Sequence, residues 1–260
     1  MWHTPENKYL LAGHRGERIR GDENTLPAFE RAIACGVDMI ETDVRITSDG
    51  ALILLHDKTL DRTTNGTGDV HELTLAQIRR YNAAPGQPFT PVPTLDEFLA
   101  LIDKHPTMLL DIELKDYPER IGLTEALRMT DRVLELLTAH GLRERCVINS
   151  SSGTLLAYVA KTYPGMWRLH GYYPYSLLSG EPGDPSAYLY CACVYPPKGM
   201  SVPPREYFDA LTSQGIEPWS HTGIDTLEQL RVSYLRGARL ITADDPARIL
   251  GYLRELGLHA

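Results

Sequence analysis

The 260 residues predict an α/β chain closed as a (β/α)8 TIM barrel with a small insertion after the second strand. Eight short apolar, β-prone runs recur along the chain, and helical patterns lie between them. No Pro/Ser-rich linker or low-complexity tract interrupts the alternation, so 1–260 reads as one domain. A doubly wound open sheet usually needs fewer strands, and the first strand runs into Gly13-His14-Arg15-Gly16 rather than a dinucleotide-binding glycine fingerprint.

The strand runs are Tyr9 to Gly13, Val37 to Val44, Thr107 to Leu114, Arg145 to Asn149, Met166 to Gly171, Ala187 to Tyr195, Ile216 to Trp219 and Arg239 to Thr242. Helices are expected at about Asn24 to Cys35, Leu95 to Lys104, Thr124 to Ala139, Ser152 to Tyr163, Pro204 to Ser213, Asp225 to Tyr234 and Pro246 to Leu256. Asp225 followed by Glu228 reads as the start of the penultimate helix, and Asp245-Pro246 as the cap and first turn of the last. Between the second and third barrel strands, Ala51 to His56 reads as an extra strand. About 57–93 reads as an irregular insertion with a short helix near Thr74 to Tyr81, either a partial lid or mere decoration.

Composition narrows the function. With 26 Lys and Arg against 34 Asp and Glu, the net charge of -8 disfavours nucleic acid and anionic lipid as general partners, so an anionic substrate must meet a locally positive site. No run approaches the ~18 to 20 apolar residues of a membrane span, and no basic segment followed by an apolar core opens the chain. Stable membrane association is not expected. Cys35, Cys146, Cys191 and Cys193 lack metal-site spacing and read as reduced, buried thiols, in keeping with a cytoplasmic location. Oligomeric state is not legible.

In a barrel, the chemistry gathers at the carboxyl ends of the strands. Here those ends offer His14 and Arg15, Glu41 and Asp43, Glu113 and Lys115, and Trp219 and His221, while the extra strand ends in His56 and Asp57. Residues two apart on a strand share a face, so Glu41 with Asp43, and Glu113 beside them, aim three carboxylates at one mouth. Such a group repels itself unless a cation lies between its members, and all-oxygen ligands suit Mg²⁺ or Ca²⁺. Structural ion pairs, Glu41 with Lys115 and Asp43 with Arg45, are the alternative. His14 and His56 are candidates for proton transfer, Arg15 and Lys115 for binding phosphate. Of 14 tyrosines, many crowd the middle of the chain; Tyr172 and Tyr195, near strand ends, are with Trp219 the candidates to contact substrate.

The pattern resembles the glycerophosphodiester phosphodiesterase family. The resemblance rests on His14-Arg15-Gly16, Glu23-Asn24-Thr25, Glu41-Thr42-Asp43, His56-Asp57, Leu60 to Thr64, Gly66 to Gly68, Pro93-Thr94-Leu95, Ile112-Glu113-Leu114-Lys115, Trp219 and Ile241 to Asp244. It implies one divalent cation held by Glu41, Asp43 and Glu113, with His14 and His56 as general acid and base. Arg15 and Lys115 would hold the phosphate, and the substrate would be a small glycerophosphodiester cleaved to glycerol 3-phosphate and an alcohol. Asp22 stands where the family commonly has proline, and Ser220-His221-Thr222 departs from its usual continuation after the tryptophan. Competing expectations are a sphingomyelinase D or lysophospholipase D type enzyme that stops at a cyclic phosphate, a non-catalytic phosphate-binding barrel, and a sugar-phosphate isomerase on the same architecture.

Overall fold

A computed structural model describes residues 2–260. Eight parallel strands close on themselves: β1 (Leu10–His14), β2 (Met39–Ile46), β4 (Leu109–Leu114), β5 (Cys146–Asn149), β6 (Arg168–Tyr173), β7 (Cys191–Val194), β8 (Glu217–Ser220) and β9 (Leu240–Ala243). β1 pairs with both β2 and β9, which makes the sheet a barrel. The helices around it are α1 (Leu26–Cys35), α2 (Leu75–Ile78), α3 (Leu95–Ile102), α4 (Pro118–Ile121), α5 (Leu123–Ala139), α6 (Gly153–Thr162), α7 (Arg205–Ser213), α8 (Leu227–Arg236) and α9 (Pro246–Glu255). The expected strands and longer helices stand within a few residues of their predicted places.

Helix starts follow local chemistry. Thr94 caps α3 in a reciprocal box with Glu97, and Asp245 caps α9 ahead of Pro246. One start differs from expectation: α8 is capped by Thr226 with Gln229, not by Asp225 with Glu228. Both pairs have the spacing of a capping box, and the residue whose side chain meets the third backbone N–H decides between them.

Two apolar regions result from strand alternation. Outward residues pack under the helices, as where Phe29 and Phe98 meet at 4.6 Å between ring centres. Inward residues Leu10, Ala12, Met39, Leu109, Val147, Cys191, Trp219 and Leu240 form a plug inside the barrel. Two residues farther along most of these strands the inward positions turn polar, giving His14, Glu41, Asp111, Asn149 and Thr242. The plug is thus the floor under the mouth. Of the four cysteines, Cys146, Cys191 and Cys193 are buried as expected, whereas Cys35 on α1 is half-buried; all four are free thiols.

The extra strand, β3 (Leu52–Leu54), runs antiparallel to the end of β2. β1 stops opposite Glu41, and β3 takes over the same edge, where Leu55 N–H donates to the Asp43 carbonyl. The hairpin therefore rises past the barrel rim and returns His56 to the level of Asp43. The following segment packs its own apolar cluster, including Leu60, Val70, Ile78 and Val92, so the insertion is built rather than structureless.

Arg45 does not pair with Asp43. It donates to the carbonyls of His56 and Lys115 and, at 2.6 Å, to Asp116, a fully buried carboxylate. Asp116 also accepts from the Ile46 N–H and from Arg120, and bonds His71 of the insertion. Removing one partner of a buried pair leaves an uncompensated charge, so Asp116→Ala is expected to cost about 3–5 kcal/mol in urea unfolding. Limited proteolysis should then nick the insertion within 57–93 faster than in the parent chain.

Candidate active site

The mouth of the barrel is a cavity of about 180 Å³ lined by His14, Arg15, Glu41, His56, Asp111, Glu113, Lys115, Asn149, His170, Tyr172, Cys193, Tyr195, Thr222 and Thr242. All but one of the expected site residues either line it or, in the case of Asp43, sit buried just behind it. The exception is Trp219: it is 1 % exposed within the apolar plug, donates from its indole N–H to Glu217, and packs against His170. Its position two residues after Glu217 on β8 turns it into the barrel below the cavity.

Glu41, Asp43 and Glu113 are buried, and each offers an oxygen within 4.8 Å of the others. Like charges at that separation repel by about 3–4 kcal/mol per pair at an effective dielectric of about 20. The protonation balance reflects this. Burial, then the charges of Asp43 and Glu113, push Glu41 well above the usual carboxylate range, whereas Asp43 is held below it because Lys115 and Arg15 outweigh its burial. Lys115 reaches Glu113 at 2.6 Å and Asp43 at 3.3 Å, and Arg15 reaches Asp43 at 3.1 Å. Glu41 is left without a cationic side chain of its own, and the ion-pair alternative of Glu41 with Lys115 is not what forms. A carboxylate that burial drives toward protonation, gathered with two others that take up the charges of Lys115 and Arg15, fits a hard divalent cation.

Arg15 is held by unusual backbone. It and Asn24 are the non-glycine residues at positive φ among those described, at 56° and 57°. Such geometry persists only where surroundings over-determine it. Arg15 N–H donates to both the carbonyl and the carboxylate of Glu41, Asn24 N–H donates to the Arg15 carbonyl, and Asn24 Nδ2 donates to Asp43 at 2.8 Å. Gly16 follows at φ +83°, where a Cβ would lie 2.6 Å from the backbone of Ala28, so the loop after β1 lies directly on the first turn of α1.

Each candidate histidine has a carboxylate on Nδ1. His14 meets Asp244 at 2.5 Å and His56 meets Asp57 at 2.7 Å. With Nδ1 protonated toward its carboxylate, Nε2 is the free nitrogen, and that of His14 lies 3.9 Å from Glu41. Burial, with the charges of Lys115 and Arg15, lowers the pKa of His56 despite Asp43, so its imidazole is neutral near pH 7. Sequence reasoning placed Asp57 and Asp244 in motifs without assigning them these contacts. The Asp57 link is a neighbour in sequence, but 230 residues separate His14 from Asp244.

Glu23 gathers three guanidinium groups: Arg15 and Arg62 at 2.7 Å and Arg18 at 3.1 Å. Burial alone would raise its pKa, but the Arg62 hydrogen bond and the charges of Arg15 and Arg18 bring it down to about 2. A folded-state pKa below the unfolded one contributes stability that is full above about pH 5 and is lost as pH falls toward 2. Glu23→Gln should therefore destabilise the chain by roughly 2–3 kcal/mol in urea at pH 7. The gap to the parent should close between pH 5 and 2.

A parallel barrel whose mouth gathers two carboxylate-paired histidines, an arginine and a lysine around three carboxylates has the make-up of a phosphodiesterase-type site. The comparisons with known proteins make this particular. Residues 14–193 match the model of the glycerophosphoryl diester phosphodiesterase family. A glycerophosphodiester phosphodiesterase of Caldanaerobacter subterraneus subsp. tengcongensis is 31% identical over 257 residues, covering 96% of this chain and all of that protein. The chain belongs to the glycerophosphodiester phosphodiesterase family and is a phosphoric diester hydrolase.

Solved structures agree on the fold. A glycerophosphodiester phosphodiesterase of Agrobacterium tumefaciens superposes with a TM-score of 0.73 at 24% identity, covering 92% of this chain and 98% of that one. A phosphodiesterase of Oleispira antarctica, in complex with its product sn-glycerol-3-phosphate, gives 0.75 at 21% identity, covering 94% and 96%. No helix among the described residues is long and apolar enough to cross a membrane.

Proposed function

We propose that the chain hydrolyses small glycerophosphodiesters to glycerol 3-phosphate and an alcohol, with one divalent cation, Mg²⁺ or Ca²⁺, held by Glu41, Asp43 and Glu113. The observation that carries this is the three-carboxylate cluster ringed by two histidines, Arg15 and Lys115 within one cavity. When bound, such a cation supplies positive charge to the phosphate oxygens.

The side chains around it divide the remaining work. Arg15, fixed by its backbone bonds to Glu41, presents a guanidinium beside the cluster, and Lys115 presents an ammonium kept charged because Glu113 and Asp43 outweigh its burial. His14 and His56 are oriented by Asp244 and Asp57 so that their Nε2 atoms serve the proton transfers. Cleavage requires one proton taken from the attacking hydroxyl or water and one given to the leaving alkoxide. Tyr172 and Tyr195, at 6.0 Å between ring centres, form an aromatic side to the cavity against which an alcohol group can rest. The free thiols and the net charge of -8 support a reducing, cytoplasmic setting and water-soluble diesters.

The test is chelator-stripped protein incubated with glycerophosphocholine or glycerophosphoethanolamine, with glycerol 3-phosphate measured by a coupled assay. Turnover is expected only after Mg²⁺ or Ca²⁺ is restored. Glu41→Gln and Glu113→Gln should each reduce that turnover to background and weaken cation binding in calorimetry, with thermal unfolding still cooperative. Full activity in either variant would refute the metal assignment. His14→Ala and His56→Ala should each lower kcat by roughly 10² to 10⁴ if they transfer protons, as read from initial rates at saturating substrate.

A further inference from the structure

Beside the proposed metal cluster, where Asp111 pairs in register with Glu41 and Asn149 with Glu113, the wall made by β4, β5 and β6 carries polar side chains that the reaction as described does not use. Asp111, Asn149 and His170 are 1 %, 3 % and 3 % exposed and all line the cavity. The His170 Nδ1 is 2.8 Å from Asp111 Oδ2, which leaves His170 Nε2, Asp111 Oδ1 and Asn149 Oδ1 buried with no hydrogen-bond partner among the described residues.

Leaving a buried polar atom unsatisfied costs about 1–3 kcal/mol, so three on one wall point to a guest that satisfies them. Their chemistry selects that guest. Asp111 and the Asn149 carbonyl are acceptors, and with the imidazole proton on Nδ1 toward Asp111, His170 Nε2 is an acceptor too. Acceptors call for donors. The adjoining surface is apolar, with the Tyr172 ring 5.8 Å from His170 and Cys193 beside it. A group with hydroxyls on one side and C–H bonds on the other matches both surfaces.

We infer that Asp111, Asn149 and His170 form a hydroxyl-binding subsite for the polyol half of the diester, the half retained as the phosphate monoester. This rests on the phosphodiesterase reading above and deepens it. The polar wall lies directly over the apolar plug at the closed end of the cavity, whereas a departing alcohol must leave through the open end. His170 is held in place by the Asp111 hydrogen bond and by Trp219, whose ring lies 4.6 Å from its own, so Trp219 bears on recognition through His170 rather than by touching substrate.

The test compares two phosphate monoesters, glycerol 3-phosphate and methyl phosphate, binding to the Mg²⁺-supplied protein by calorimetry. Only the first carries free hydroxyls. In the parent chain glycerol 3-phosphate should bind more tightly. His170→Phe should weaken it about tenfold, the worth of one well-placed hydrogen bond, and leave methyl phosphate within twofold. His170→Gln, which restores an acceptor, should recover part of the difference.

Because His170→Phe leaves Asp111 without its partner, Asn149→Ala is run beside it; this keeps the Asp111–His170 pair and should shift the same ratio in the same direction. Equal weakening of both ligands, or an unchanged ratio in both variants, would overturn the subsite. Hydrolysis of glycerophosphocholine by the parent chain is scored separately. Its failure would count against the phosphodiesterase reading, while the binding ratio judges the subsite.

Discussion

Everything at the mouth of this barrel depends on three carboxylates that should not be together. Glu41, Asp43 and Glu113 lie within 4.8 Å of one another and are shielded from water, so their mutual repulsion has to be met by positive charge. Arg15 and Lys115 neutralise Asp43 and Glu113, and Glu41 is the one left over. The same two cations are also the groups proposed to hold phosphate. The proposed cation site and the proposed phosphate site therefore rest on a single balance of charge.

Holding that balance requires backbone that ordinary strands do not supply. Arg15 reaches Asp43 because the chain after β1 takes a left-handed turn, fastened by Glu41 and Asn24 and closed over α1 by Gly16. His56 arrives through the β2–β3 hairpin, which occupies the edge of β2 that β1 leaves open. Arg45 then grips the carbonyls of both His56 and Lys115 and anchors to Asp116. A residue that looked like a partner for Asp43 is instead the tie between two loops. The insertion is bonded to Asp116 through His71, so the carboxylate that anchors Arg45 also ties it to the loops that carry His56 and Lys115.

The barrel's interior has an order that follows from period two. An apolar plug closes the bottom, and the next inward residues are polar: Glu41 in the carboxylate cluster, and beside it Asp111, Asn149 and His170 along β4, β5 and β6. One cavity thus joins a cluster ringed by Arg15 and Lys115 with a wall of hydrogen-bond acceptors. Trp219 belongs to the plug, and its effect on the site passes through the ring of His170.

The eight β–α units, the carboxylates at strand ends and the family resemblance were all legible in the chain, because alternation and the spacing of Glu41-Thr42-Asp43 and Glu113-Leu114-Lys115 are local properties. The same local logic misjudged two details. It chose Asp225 over Thr226 as a helix cap, since adjacent residues had the same spacing, and it took Trp219 as reaching the cavity when the depth of the plug buries it. What only the tertiary structure decided were pairings between distant strands: His14 with Asp244, Asp111 with His170, and Arg15, Arg18 and Arg62 around Glu23. A strand records which face a side chain occupies, but which charge it meets across the barrel depends on closure and register, and those are settled only when all eight strands pack together.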